Sequence, residues 1–152
     1  MSAKISFLPN AATANRVLSG VPIRSIAIVD DEECVCRAFA RLLRAYSYHP
    51  QTYRSATEFL QALNEGVPDC LILDVHLGDM NGFDFLRRLT GGGLHIPTIV
   101  VTARDEPAVQ RDFASCSATA LLLKPVGGDV LLKAIETAIG TSGSRDAECR
   151  HL

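Results

Sequence analysis

Five polar residues stand at the ends of short apolar runs in this chain, and their types suit phosphate chemistry. The apolar runs are continuous rather than alternating, which is typical of parallel strands buried on both faces. The polar residues that end them are Asp30, Asp31, Asp74, Thr102 and Lys124. In an open α/β sheet, ligands bind beyond the carboxyl ends of the strands. We therefore expect three carboxylates, a hydroxyl and an ammonium to meet at one edge.

Such a cluster calls for a cation. Carboxylates that share a pocket raise one another's pKa unless a positive charge neutralises them. Oxygen ligands favour Mg²⁺, which keeps several waters and often bridges to phosphate. An aspartate beside Mg²⁺ can act as a nucleophile and form an aspartyl phosphate, while Lys124 would neutralise a phosphoryl oxygen. The pattern indicates a phosphoryl-transfer site that contains Mg²⁺.

The elements that must position these residues alternate between strands and helices. The predicted strands are Ile26–Val29, His49–Tyr53, Leu71–Leu73, Thr98–Val101 and Ala120–Leu123, of which the polar second one suits an edge. Five helices follow them, with apolar residues at helical spacing; the fourth begins at Pro107 and the fifth ends at Gly140. This order predicts an α/β fold: a flavodoxin-like, doubly wound, five-stranded parallel sheet with strand order 2-1-3-4-5.

Length and composition indicate one domain. The chain has 152 residues, of which 47% are hydrophobic, and we expect a tail over 1–23, a domain over 24–140 and a second tail over 141–152. A net charge of −2 gives no bulk attraction to nucleic acid or to an anionic membrane. The sequence shows no membrane span and no signal peptide. We expect a cytoplasmic protein without direct contact to nucleic acid or membrane.

The five cysteines are scattered and odd in number, which does not suit a disulfide framework. We expect free thiols, with Cys70 in the core. A redox or metal-binding role for the Cys34-Val35-Cys36 pair is the alternative.

Four segments carry a family resemblance. They read IVDDEE, LILDVHLGDMNG, VVTA and LLLKP, and they occur in this order, each at a predicted strand end. With them the chain resembles a response-regulator receiver domain of two-component signalling over about 24–140. The amino-acid sequences of these segments are similar to those of receivers of the nitrogen-fixation-regulator type.

The resemblance implies a role for each polar residue. Asp74 would accept a phosphoryl group. Mg²⁺ would be held by Asp30, Asp31, Asp74 and the backbone carbonyl of His76. Thr102 would be the switch hydroxyl that moves toward the phosphoryl oxygens, Lys124 would pair with the phosphoryl group, and the Lys124–Pro125 bond would be cis.

Each of these residues also has an ordinary structural alternative. Asp30 and Asp31 could cap the first helix, and Asp74 could start a turn. Thr102 could be a strand residue with a satisfied hydroxyl, and Lys124 could be a solvated lysine at a strand end.

The chain departs from the family pattern in four places. Gly78 stands where proline is usual, and Leu121 stands where tyrosine or phenylalanine is usual. Ser117 replaces a common glycine, and Val126 replaces a common phenylalanine. The aromatic residue missing at Leu121 normally moves inward with the switch hydroxyl. The resemblance therefore implies intact phosphorylation chemistry with an altered or reduced output switch.

Two functions from different classes follow. The first is a phosphoacceptor switch that receives its phosphoryl group from a histidine kinase or phosphotransfer protein and catalyses only its own phosphorylation and dephosphorylation. Since roughly a dozen residues follow Gly140, too few to fold alone, we expect a stand-alone receiver without a DNA-binding domain. It would act by contact with an unknown downstream protein, as a phosphorylation-dependent dimer, or as a phosphorelay intermediate or phosphate sink. The alternative is a receiver-like interaction module whose output does not depend on phosphorylation, as Gly78 and Leu121 suggest.

Overall fold

The computed structural model describes residues 17–18 and 21–149. Near the beginning, Val17–Leu18 pairs antiparallel with Val21–Pro22. This pair lies inside the predicted 1–23 tail, where strands of two residues leave no periodic pattern to detect. Residues 1–16, 19 and 20 of that tail, and residues 150–152 of the predicted 141–152 tail, lie outside the described residues.

The main sheet has the predicted topology. Five parallel strands are arranged in the order β2-β1-β3-β4-β5, which is the expected 2-1-3-4-5. They are β1 (Ser25–Val29), β2 (His49–Tyr53), β3 (Cys70–Asp74), β4 (Thr98–Thr102) and β5 (Ala120–Leu123). The polar strand β2 lies at an edge, as predicted.

Four helices connect the strands, and a fifth follows β5. They are α1 (Glu33–Ala45), α2 (Ala56–Ala62), α3 (Gly82–Gly91), α4 (Pro107–Ala114) and α5 (Gly128–Cys149). Side-chain caps begin two of them: Ser55 accepts a hydrogen bond from the backbone of Glu58 at 3.1 Å, and Asn81 accepts one from Phe83 at 2.8 Å. The cap position of α1 is Glu32, without a side-chain hydrogen bond, so Asp30 and Asp31 precede the helix and do not cap it.

Helix α5 is longer than predicted. It passes through Gly140 and continues to Cys149, so the predicted helix end at Gly140 was wrong. A glycine inside a helix costs about 1 kcal/mol relative to alanine, but it ends the helix only where the chain turns left-handed. Of the helices in the described part of the chain, none is long and apolar enough to cross a bilayer.

Both faces of the sheet are covered. On one face, α1 and α5 pack over Ile26, Ile28 and Ile72, while α2 and α3 pack over Val29 and Leu73 on the other. Each large side chain buried in this way stabilises the fold by about 1.5–3 kcal/mol. The continuous apolar runs of β1, β3 and β4 therefore reflect strands with two buried faces, whereas β5, at the other edge, is only partly buried. The packed sheet fixes the positions of the residues at its carboxyl edge.

Candidate functional site

Three strand ends bring two carboxylates and an ammonium together. Asp30 follows β1, Asp74 ends β3 and Lys124 follows β5. The Nζ atom of Lys124 lies 2.8 Å from Oδ2 of Asp30 and 3.5 Å from Oδ1 of Asp74. The side chains are 11%, 1% and 5% exposed for Lys124, Asp30 and Asp74, so these are ion pairs shielded from water. The predicted cis peptide bond between Lys124 and Pro125 is present.

The two carboxylate oxygens of Asp30 differ in their hydrogen bonding, and one of them is available to a cation. Its Oδ1 accepts a hydrogen bond from the backbone of Glu32 at 2.9 Å. Its Oδ2 is buried and accepts no hydrogen bond from the described residues; the Lys124 ammonium approaches it closely, but outside hydrogen-bond alignment. Because a buried charged oxygen is costly without a partner, Oδ2 suits either this lysine or a metal ion.

A third acidic residue, Glu32, joins the predicted pair. Carboxylate oxygens of Asp30, Asp31 and Glu32 all lie within 4.8 Å of one another, and Glu32 Oε1 lies 3.5 Å from the Lys124 ammonium. This all-oxygen set, open to water at Asp31 and Glu32, fits Mg²⁺. Asp74 is outside this group and is connected to it through Lys124. The run Asp30-Asp31-Glu32-Glu33 was the signal for Glu32 in the sequence, but nothing in it showed which glutamate lies beside Lys124.

Burial and charge set the protonation of the pocket. Burial, and then the negative charge of Asp30, raise the pKa of Asp74 to about 6, although Lys124 and the backbone of His76 act in the opposite direction. Burial alone would lower the pKa of Lys124, but its close contact with Asp30 and the charges of Asp74 and Glu32 raise it overall. Lys124 is therefore charged, and Asp74 is an aspartate with unusually high proton affinity.

Thr102 lies at the end of β4 with its hydroxyl engaged elsewhere. The residue is 2% exposed, and Oγ1 both accepts from the backbone N–H of Arg104 and donates to the Arg104 carbonyl, each at 3.1 Å. These bonds tie Thr102 to the loop after its own strand rather than to Asp74. The predicted switch movement would have to break them.

The loop between Asp74 and α3 is closed by backbone hydrogen bonds between its two ends. The backbone N–H of Gly82 donates to the carbonyl of Val75 at 2.7 Å, and His76 forms an isolated antiparallel bridge with Asn81. A side chain at Gly82 would collide with the backbone oxygen of Asp74 and lie 3.1 Å from its carbonyl carbon. The His76 amide lies 3.5 Å from Asp74 Oδ1. The predicted ligand role of the His76 carbonyl stays a prediction.

The unusual residue Leu121 is partly buried beside this loop. It packs against the small cluster that contains Val75, Val100 and Val109. Two residues further along β5, Leu123 is 51% exposed. An aliphatic side chain thus occupies the position at which the family pattern has an aromatic one.

The Cys34 and Cys36 side chains differ in their surroundings. Cys36 is buried and its thiol donates to the Asp30 carbonyl at 3.3 Å, whereas Cys34 is exposed. Burial, and then the charge of Asp30, raise the pKa of the Cys36 thiol to about 11, so it is protonated at neutral pH and weakly reactive. The four cysteines with described side chains are free, and Cys70 is in the core, as predicted; Cys149 lies beyond the described side chains.

Residues 26–136 match the response regulator receiver domain family, and the chain belongs to that family. It is 33% identical over 114 residues to response regulator protein TmoT of Ectopseudomonas mendocina, a match that covers 75% of this chain and 52% of TmoT. It is 30% identical to transcriptional regulatory protein FixJ of Rhizobium meliloti, with 75% and 56% covered. The chain therefore spans about half the length of these relatives.

Solved structures agree on the fold. A response regulator receiver protein from Burkholderia phymatum is 35% identical, with a TM-score of 0.69 over 77% of this chain and 95% of that one. A CheY-like receiver domain from Methanospirillum hungatei has a TM-score of 0.72 at 23% identity, over 81% of this chain and 98% of that one. The second likeness concerns the fold alone.

Proposed function

We propose that this chain is a phosphoacceptor switch of a two-component system, in which Asp74 receives a phosphoryl group from a phosphohistidine donor. The observation that carries the proposal is the buried ammonium of Lys124, 2.8 Å from Asp30 and 3.5 Å from Asp74. A positive charge beside a nucleophilic carboxylate is what phosphoryl transfer requires. The donor would be a histidine kinase or a phosphotransfer protein.

The transfer is a displacement at phosphorus. An Asp74 oxygen forms the new P–O bond as the P–N bond of the donor breaks, and the electron pair of that bond stays on the donor imidazole. Lys124 neutralises the phosphoryl oxygens, toward which its ammonium has to move from Asp30. Mg²⁺ held by Asp30, Asp31, Asp74 and the His76 carbonyl would supply further neutralisation, with Glu32 at its rim. The chain would catalyse only its own phosphorylation and the later hydrolysis.

Output would follow from Thr102. A phosphoryl group on Asp74 offers new acceptor oxygens, and Thr102 would leave the Arg104 backbone to bind them. We propose that output passes to a downstream protein, or to a second copy of the chain, through protein contact in the cytoplasm, without direct contact to nucleic acid. Leu121 makes this readout differ from the aromatic switch of the family.

A phosphoryl mimic tests the proposed function. Beryllofluoride with Mg²⁺ is expected to shift the backbone NMR signals of Thr102 and Arg104 in wild type and to leave those of Asp74→Asn unchanged. Equal shifts in both proteins, or none in wild type, would contradict it. If wild type and Asp74→Asn also self-associate and bind a partner equally, the interaction module without phosphorylation-dependent output becomes the better account.

Asp74→Asn is expected to stabilise the metal-free fold at pH 7.5. The pKa of Asp74 is about 6 in the fold, against 3.8 for a free side chain, so the folded state binds the proton more tightly. The contribution of Asp74 to the free energy of unfolding of wild type is therefore most favourable below about pH 4, and it is lost as the pH rises through about 6. Removing the charge should raise the free energy of unfolding by on the order of 1–3 kcal/mol. Thermal melts in EDTA at pH 7.5 and pH 5 measure it.

The exposed neighbour Asp31 provides the matched control. Asp31→Asn removes a carboxylate from the same cluster at an exposed position and should change the melting temperature much less. For Asp74→Asn the gain should shrink at pH 5, where wild-type Asp74 is protonated. A loss of stability at pH 7.5, or a gain that is the same at both pH values, would show that burial does not hold the pKa of Asp74 high.

A further inference from the structure

A second charged site lies in a cleft between α1 and the edge strand β2. Its volume is about 650 Å³, within the range of roughly 300–1,000 Å³ that small-molecule sites occupy. The lining residues are Cys34, Arg37, Ala38, Ala40, Arg41, Arg44 and Thr52. The set contains three guanidinium groups and no carboxylate, in a chain whose net charge is −2.

Within the described part of the chain, the side chains of the three arginines have no protein partner. Arg37, Arg41 and Arg44 form no ion pair or side-chain hydrogen bond with any residue that the structure describes. By contrast, Arg54 lies beside Glu33 at 3.7 Å and Arg87 beside Asp84 at 2.7 Å. The three free guanidinium groups stand at i, i+4 and i+7 on one helix face, a row of about 10 Å.

The shape and the chemistry of the cleft favour a small anion with several charges. Guanidinium groups bind phosphate in bidentate fashion, and the Thr52 hydroxyl adds a donor. The other lining side chains, Cys34, Ala38 and Ala40, are small, so the three guanidinium groups and the Thr52 hydroxyl supply the polar contacts of the cleft. We propose that this cleft binds a small molecule with two or more linked phosphate groups.

The edge of β2 argues against an added peptide strand. The His49 amide and the Tyr53 carbonyl both bond to the β1 side, at 2.9 Å and 3.1 Å, so Pro50 and Thr52 turn their backbone groups outward. Proline has no N–H to donate, which blunts this edge for strand pairing. The cleft therefore remains open for a ligand held by side chains.

Equilibrium binding with inorganic tripolyphosphate tests the site. EDTA is present throughout, so that no metal at the acidic cluster takes part. Wild type is expected to bind the probe, with affinity that falls as salt rises. Arg37→Gln/Arg41→Gln should weaken binding by about tenfold or more, since charge-assisted hydrogen bonds are lost. Glutamine is a good helix former, so these exposed changes leave α1 folded.

The control removes equal charge elsewhere. Arg88→Gln/Arg111→Gln replaces two exposed arginines, on α3 and α4, whose side chains also form no ion pair or hydrogen bond within the described region. This double variant should bind tripolyphosphate as wild type does. A parallel titration with ATP shows which part of a ligand is recognised. If ATP and tripolyphosphate bind with equal affinity, the cleft recognises phosphate alone. If ATP binds more tightly, the cleft recognises the nucleoside as well. No binding of either probe, equal losses in both double variants, or stronger binding of a poly-glutamate peptide would overturn the proposal.

The test of tripolyphosphate binding can be separated from the test of Asp74 phosphorylation. Phosphorylation by acetyl phosphate with Mg²⁺ in Arg37→Gln/Arg41→Gln reports on the acidic cluster separately, because neither arginine belongs to it. Loss of tripolyphosphate binding with intact phosphorylation supports two separate sites.

Discussion

Lys124→Met is expected to destabilise the metal-free fold by about 3–5 kcal/mol at neutral pH, because removing one partner of a buried ion pair leaves the other charge uncompensated. Oδ2 of Asp30 is buried and has the Lys124 ammonium as its neighbour at 2.8 Å. Asp74 loses the cation 3.5 Å away at the same time. Methionine keeps most of the volume of the lysine, so the loss reports mainly on charge. Urea unfolding in EDTA measures it.

The pH dependence separates this cause from poor packing. Lys124 lowers the pKa of Asp74, so in Lys124→Met that pKa should be still higher than in wild type. Protonation then removes one uncompensated charge, and the deficit in stability should shrink as the pH falls from 8 toward 5. Lys133→Met, at an exposed position of α5, should change little. Equal stability of the two variants would mean that the ion pairs do not hold the pocket together.

Gly82→Ala is expected to have the second large effect. The new methyl group would collide with the backbone oxygen of Asp74 and lie 3.1 Å from the Cα atom of Val75. Backbone atoms yield less readily than side chains, and overpacking of this kind costs about 1–3 kcal/mol or more. The strand end that carries Asp74 must shift, so phosphorylation by acetyl phosphate should slow as well. Urea unfolding and the rate of mass gain measure the two effects.

Gly91→Ala is the matched control at the other end of α3. An alanine side chain there would meet nothing within 4 Å, and in a helix the change should stabilise by about 0.4–1 kcal/mol. The two variants should therefore move in opposite directions. If Gly82→Ala unfolds at the same urea concentration as Gly91→Ala, the close approach to Asp74 is not a real constraint.

Burial periodicity made the fold readable from the sequence. The continuous apolar runs mark β1, β3 and β4 because helices cover both faces of the sheet there. The run at β5 marks a strand too, although this edge strand is only partly buried. The handedness of βαβ connections limits the strand order. The hydrophobic pattern did not predict two features of the secondary structure that local sequence does not determine. Gly140 lies inside α5, and the pair Val17–Leu18 with Val21–Pro22 is too short for any periodicity.

The site was predictable in residue types but not in distances. Residues that end strands had to meet at one edge, which placed Asp30, Asp74 and Lys124 together. No sequence pattern showed that Lys124 lies closer to Asp30 than to Asp74, or that the Thr102 hydroxyl binds the Arg104 backbone. These details depend on the lengths and angles of loops, which only tertiary packing sets. They matter for the proposed function, because both side chains would have to move for a phosphoryl group on Asp74 to be held.

The central claim is that Asp74 accepts a phosphoryl group. Intact mass spectrometry after incubation with acetyl phosphate tests it most directly, on wild type with Mg²⁺, on wild type with EDTA, and on Asp74→Asn with Mg²⁺. The structure predicts that wild type with Mg²⁺ gains the mass of one phosphoryl group and that the other two samples gain none. An unchanged wild-type mass, or an equal gain in Asp74→Asn, would contradict it.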